Sequence, residues 1–170
     1  MPEAFREVVR CSAEELSAQQ VAHMADWPRT VRLEMSAFGA VLFCHATPRD
    51  DAELFTRLTP EDRLRPVFEP TAAELVVCGH THMQFDRWVG DVRVVNAGSV
   101  GMPIDAPGAY WLALDREVTL RRTDYDREAA AARIRGSAYP QAQAFADGNV
   151  LETPEREAME RAFEAAALTP

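Results

Sequence analysis

The apolar residues of this chain change rhythm along its length. Leu75 to Cys78 is a short, β-branched, uninterrupted apolar run, the pattern of a strand buried on both faces. Ala40–His45 repeats that pattern and ends in a histidine. Thr30–Met35 instead alternates Val31, Leu33 and Met35 against Arg32 and Glu34, which predicts a half-buried strand. The turn Ser36-Ala37-Phe38-Gly39 joins it to Ala40–His45 as a hairpin. Gln84–Val89 and Val92–Asn96 flank Gly90-Asp91, a two-residue hairpin signal. Ala109–Leu114 and Val118–Arg122 pair around Asp115-Arg116 as a last hairpin.

Helical spacing dominates the two ends. A short helix is expected from Pro2 to Arg10. Ser12 with Glu15 reads as a capping box that starts another, and Ser17 with Gln20 repeats the device. Leu16, Val21, Met24 and Trp27 form an apolar stripe that Pro28 terminates. Asp50 or Asp51 is expected to cap a short helix through Leu58. Thr59, with Pro60 at the first position, starts one that ends near Phe68. Tyr125–Arg135, Gln141–Phe145 and a segment from Thr153 to about Ala167 are helical. The pattern predicts an α/β fold: a mixed sheet with several hairpins and flanking helices. At 170 residues it is expected to be one domain, 1–170, with 126–170 a helical C-terminal extension of that domain.

Composition narrows the function classes. The formal net charge of −9 opposes non-specific binding to nucleic acid or an anionic membrane, both of which need basic patches. It leaves room for a small phosphorylated substrate, because a bound metal reverses the local field. The three cysteines, Cys11, Cys44 and Cys78, are odd in number. Two lie in predicted buried strands, where free cysteine acts as a small hydrophobe, so a cytoplasmic setting without disulfides is expected. No apolar run approaches a membrane span, and no secretory leader is read at the start.

Candidate chemistry gathers where the buried strands end. Gly79 closes the Leu75–Cys78 run, and His80 and His82 follow with one residue between them. On extended backbone, residues i and i+2 point the same way, so both imidazoles would aim at one spot beyond the strand's carboxyl end. The glycine is expected to let the backbone turn there. His45 ends the other buried strand. Three imidazoles can hold one transition-metal ion; polar loop histidines without a ligand remain the alternative. Arg49 is a candidate contact to a substrate phosphate or a solvated loop charge. Asn96 and Ser99 are candidate hydrogen-bond donors or parts of a structural turn. His23, inside a predicted helix, has no metal-binding neighbours in sequence.

Val41-Leu42-Phe43-Cys44-His45-Ala46-Thr47-Pro48, then Gly79-His80-Thr81-His82, then Val95-Asn96-Ala97-Gly98-Ser99-Val100-Gly101-Met102-Pro103 form an ordered set of motifs. The set resembles the calcineurin-like metallophosphoesterases, most of all their small bacterial and archaeal phosphodiesterase branch, over about Ser12 to Tyr125. The resemblance implies a β-sandwich and hydrolysis of a phosphate ester at two divalent ions (Mn, Ni, Zn or Fe). It assigns His45 and His80 to one ion and His82 to the other. The family's Asp-x-His, Gly-Asp and Gly-Asn-x-Asp motifs do not precede these. Gly90-Asp91 and Gly148-Asn149 come too late in the chain to stand in for them. The chain therefore resembles the C-terminal two-thirds of such an enzyme, a truncated sandwich with at most one ion and no confident catalytic residue. Four readings follow: a phosphodiesterase or phosphatase completed by another chain, a fragment inactive alone, a non-catalytic metal-binding or dimerisation module, or a structural domain. In the first, an oligomer or complementing fragment covers an exposed sheet edge, where a strand patterned for two-sided burial would otherwise lie open.

Overall fold

The computed structural model describes residues 3–168. They pack as two compact units. One takes the N-terminal residues through Pro28 together with Asp126–Glu152; the other takes Arg29–Tyr125 and the residues from Thr153 onward.

The second unit is built on a five-stranded mixed sheet in the order β1-β2-β3-β5-β4, with β1 Thr30–Met35, β2 Gly39–Cys44, β3 Leu75–Cys78, β4 Phe85–Val89 and β5 Val92–Asn96. β2, β3 and β5 are parallel, while β1 and β4 run antiparallel at the edges. The two apolar runs are neighbours, with Val41 beside Leu75 and Phe43 beside Val77. Every residue of β3 is buried. β4 and β5 close through Gly90, at φ 58°. A separate hairpin, β6 Ala109–Leu114 and β7 Val118–Thr123, supplies the rest of the β-structure.

Each face of the sheet has its own cover. Leu42, Val76, Val94 and Phe85 pack with Phe55 and with Leu64, Val67 and Phe68 of the helix Glu61–Phe68. Val41, Leu75, Val77 and Val95 pack against Leu112, Leu114, Val118 and Leu120 of the hairpin. The second layer of the sandwich is therefore two strands wide. The helix Arg156–Ala165 is tied to the same unit by Arg57, whose Nε donates to Glu160 Oε1 at 2.6 Å, and by the Arg156–Asp105 ion pair.

The N-terminal unit holds the helices Glu3–Glu15, Ala18–Ala25, Arg127–Arg135 and Ala142–Phe145, the last running into a π-helical turn at Ala146–Leu151.

Several sequence expectations are corrected. Pro2, the expected start of the first helix, lies outside the described residues. Ser12 sits inside that helix and does not cap one; Ser17 does, with extended backbone and both halves of the capping box formed with Gln20. The Leu16–Val21–Met24–Trp27 stripe is not a packing face: Val21, Met24 and Trp27 are exposed and the second helix buries no residue. No helix forms between Asp50 and Leu58. Asp50 accepts from the Ala52 N–H at 2.7 Å and Thr47 Oγ1 accepts from the Asp50 N–H at 3.1 Å, bonds that compete with a helical ladder. Thr59 makes no cap either; its hydroxyl accepts from the Thr56 N–H at 2.9 Å and contacts Glu164. β1 is exposed along most of its length, not half-buried, and it is an edge of the sheet. The strands patterned for two-sided burial, β2 and β3, have neighbours on both sides; the sheet's edges are β1 and β4.

Candidate metal centre

Parallel pairing sends the carboxyl ends of β2, β3 and β5 to one rim, where open α/β sheets carry their ligands. His45 stands one residue past β2 and His80 two residues past β3. The Gly79 N–H donates to the His45 carbonyl at 2.9 Å, locking the two strand ends together. Their rings meet edge-on with centroids 4.9 Å apart, and His45 Nε2 lies 3.1 Å from His80 Nδ1.

The far side of the His80 ring fixes its tautomer. His80 Nε2 lies 3.2 Å from the Ala52 carbonyl, an acceptor only, so Nε2 carries the proton. In the neutral ring Nδ1 is then a lone pair, and His45 Nε2–H donates to it. A backbone carbonyl holding one imidazole nitrogen so that the other can ligate is the usual outer support of a metal histidine. Two Zn–N bonds of ~2.0–2.1 Å at a tetrahedral angle place their nitrogens ~3.3 Å apart. The observed 3.1 Å spacing is close to that, and an ion shared by the pair would have to replace the proton on His45 Nε2.

Burial, then the neighbouring His45 ring, holds the His80 pKa below the usual imidazole range. Burial also lowers His82, against the opposing effect of its hydrogen bond to the Met102 backbone. Both are neutral at pH 7, the form that ligates. His82 lies within electrostatic reach of both other rings. Yet among the described residues no group of three or more His, Cys, Asp or Glu side chains converges as a complete ion site. The residues present fit the imidazole part of a metal centre and not the whole of one.

The geometry that delivers the rings differs from the sequence expectation. His80 and His82 are not on extended backbone; φ is 66° at His80 and 60° at His82, both left-handed. Gly79 does not supply the turn, since its φ is not left-handed and a Cβ there would sit 3.8 Å from the His45 carbonyl, an ordinary contact.

The other candidates are occupied by the protein itself. Asn96 is fully buried. Its amide donates to the Gly79 carbonyl at 2.6 Å and to Thr81 Oγ1 at 3.1 Å, and its oxygen accepts from the Gly98 N–H at 2.9 Å. It holds the histidine loop and presents nothing to a substrate. Ser99 Oγ accepts from the Met102 N–H at 3.0 Å. Arg49 forks onto the buried Glu53, which also accepts from Thr47 Oγ1 at 2.8 Å, while the Arg49 side chain itself stays about half exposed. His23 meets Trp27 edge-to-face, with ring centroids 5.8 Å apart. Sequence reasoning missed Ala52, Thr81 and Glu53. Arg49 and Glu53 stand four apart, a pairing signal that is visible in the sequence but points to a helix that does not form.

The chain thus carries rim histidines at the ends of adjacent parallel strands, on an α/β sheet backed by a second β-layer. The particular family follows from the chain itself. Residues 7–117 match the calcineurin-like phosphoesterase superfamily domain, and the chain belongs to that superfamily. No curated protein matches it. Its fold is similar to that of hypothetical protein PH1004 from Pyrococcus horikoshii OT3, with a TM-score of 0.71 at 18% identity over 86% of this chain and 60% of that one. It is also similar to a metallophosphoesterase from Sphaerobacter thermophilus, with a TM-score of 0.62 at 18% identity over 79% of this chain and 61% of that one. The chain thus spans about three fifths of the length of each of these structures.

Proposed function

We propose that the protein is part of a metal-dependent phosphodiesterase or phosphatase acting on a small phosphate ester. His45, His80 and His82 supply the imidazole share of a site for a divalent transition metal: Mn, Ni, Zn or Fe. The observation that carries this reading is the 3.1 Å approach of His45 Nε2 to His80 Nδ1 at a strand-end rim, in a chain of this superfamily. A bound divalent ion supplies Lewis-acid polarisation of a phosphoryl oxygen and activation of water. The chain's own residues orient the ligands: Ala52 anchors His80, and Asn96 with Thr81 holds the loop between strand and histidines. In this reading the carboxylate ligands come from a complementing polypeptide segment. The three free cysteines suit a cytoplasmic setting, and no helix among the described residues is long and apolar enough to cross a membrane.

Calorimetry with Mn²⁺, Ni²⁺ and Zn²⁺ tests the site. Binding of one ion is expected, and His80→Ala should abolish it; equal binding by both proteins would place the ions elsewhere. Turnover of bis(p-nitrophenyl) phosphate is expected only after adding a polypeptide that carries Asp-x-His, Gly-Asp and Gly-Asn-x-Asp strands. The absence of a converging carboxylate among the described residues favours a second reading, a non-catalytic metal-binding module. Metal binding without turnover after complementation would select it.

A further inference from the structure

The edge strand β1 carries a pattern that the metal centre does not use. It pairs with β2 along its whole length, from Thr30 beside Cys44 to Met35 beside Gly39, with no bulge and no proline. Its other edge has no partner in the sheet among the described residues. Val31 and Leu33 are 43% and 49% exposed. An unbulged, exposed strand of this kind is a template for strand addition.

Charged residues on an edge normally discourage pairing, because like charges meet across the ladder. The order Thr30-Val31-Arg32-Leu33-Glu34-Met35 does the reverse for one partner. Let a second copy approach antiparallel with Leu33 facing Leu33 across a twofold axis. Arg32 then faces Glu34 of the second copy, Glu34 faces its Arg32, and Val31 faces its Met35. Parallel approach in register would set Arg32 against Arg32 and Glu34 against Glu34. The strand is complementary to itself in one direction only.

The side chains are disposed for this. Glu34 is 77% exposed and has only a long contact, 3.8 Å, to Arg32 Nε of its own strand. Arg32 is held in place by donating to the Thr71 and Ala72 carbonyls at 2.9 and 2.8 Å, and it has further N–H groups free of those two bonds. On the opposite face, Val31, Leu33 and Met35 share a side with Val41 and Phe43 of β2. That is the side packed by the β6–β7 hairpin, so pairing would extend an existing apolar cluster.

We propose that β1 is a homodimerisation edge, joining two copies into one continuous ten-stranded sheet by antiparallel β1–β1 pairing centred on Leu33. This goes beyond the metal-site reading and stands whether or not the histidines bind an ion.

Charge reversal tests it by sedimentation equilibrium on the full chain, at up to about 100 µM, a range that captures weak interfaces. The wild type should be a monomer–dimer mixture. Arg32→Glu and Glu34→Arg each turn two attractive cross-strand pairs into repulsive ones, and each should weaken the dimer about tenfold. Arg32→Glu also loses its carbonyl contacts, so its loss alone is ambiguous. Mixing the two variants resolves this, because every cross-strand pair in the heterodimer is again Arg with Glu. Recovery of the dimer in the equimolar mixture supports the register. A wild type that stays monomeric, a dimer indifferent to both reversals, or a mixture no tighter than either variant alone would overturn it.

Discussion

Replacing Asn96 by alanine should loosen the fold and the candidate site together. The side chain is fully buried and makes three hydrogen bonds, to Gly79 at 2.6 Å, Thr81 at 3.1 Å and Gly98 at 2.9 Å. The Gly79 carbonyl keeps one partner after the change, since it also accepts from the Thr81 N–H at 2.8 Å. The Gly98 N–H loses its side-chain acceptor. The Gly98 N–H is partly buried, so its lost bond, like each of the two others, costs about 0.5–1.5 kcal/mol. The expected loss is therefore about 1.5–4.5 kcal/mol, a sizeable share of the ~5–15 kcal/mol typical of a whole domain. Urea unfolding followed by circular dichroism measures it. Asn96→Asp keeps the acceptor for Gly98 but buries a carboxylate oxygen against the Gly79 carbonyl, so it should cost at least as much as Asn96→Ala. In Asn96→Ala, Zn²⁺ affinity should drop even at temperatures where the protein stays folded, because the loop bearing His80 and His82 is no longer pinned. Stability within about 0.5 kcal/mol of wild type, the range of an ordinary surface change, would refute the assignment of Asn96 as the clamp.

Three further outcomes are expected. Gly98→Ala should lose about 1–3 kcal/mol through its left-handed backbone, with φ at 80° and a Cβ only 2.7 Å from Gln84 Cγ, whereas Gly79→Ala, with 3.8 Å of room, should be near neutral in the same unfolding assay. In metal-free protein, the lowered His80 and His82 pKa values mean that the unfolded chain binds more protons around and below the ordinary imidazole value. Stability should then hold steady above about pH 7 and fall as pH drops toward about 5, before the carboxylates titrate; a flat denaturation midpoint across that window would contradict it. Burial pushes the Cys44 thiol up to about 12 and raises Cys78 well above its usual range, so a thiol reagent at pH 8 should leave both unlabelled in the native chain and modify them once urea is added.

The strands and the identity of the rim histidines were legible because they rest on composition. β2 and β3 are short β-branched runs with no polar interruption, and each is followed closely by histidine. The backbone that aims the histidines was not legible, since nothing in Gly-His-Thr-His reveals a left-handed φ on the histidines in place of the glycine. The bonds that Arg49 makes to Glu53 and that Asn96 makes to the backbone were not legible, because a polar side chain near a site looks the same in sequence whether it faces outward or is held by its neighbours. Glu53 could be matched to Arg49 by spacing, but its burial depends on a loop that local Thr47 and Asp50 bonds divert from helix. The β1 alternation was read correctly as a strand and wrongly as half-buried, because exposure depends on what packs beside it. The Val21–Met24–Trp27 stripe shows the same limit in a helix.

The left-handed backbone at His80 and His82 sets these two positions against the rest of the molecule. A non-glycine residue in that conformation is held there at roughly 1–2 kcal/mol, so glycine or asparagine at 80 or 82 would raise the melting temperature while deleting an imidazole. A library of variants screened only for heat resistance should therefore enrich such replacements early. One screened for metal retention should keep both histidines and recover stability elsewhere, and divergence of the two libraries at these codons would expose a conflict between endurance and chemistry.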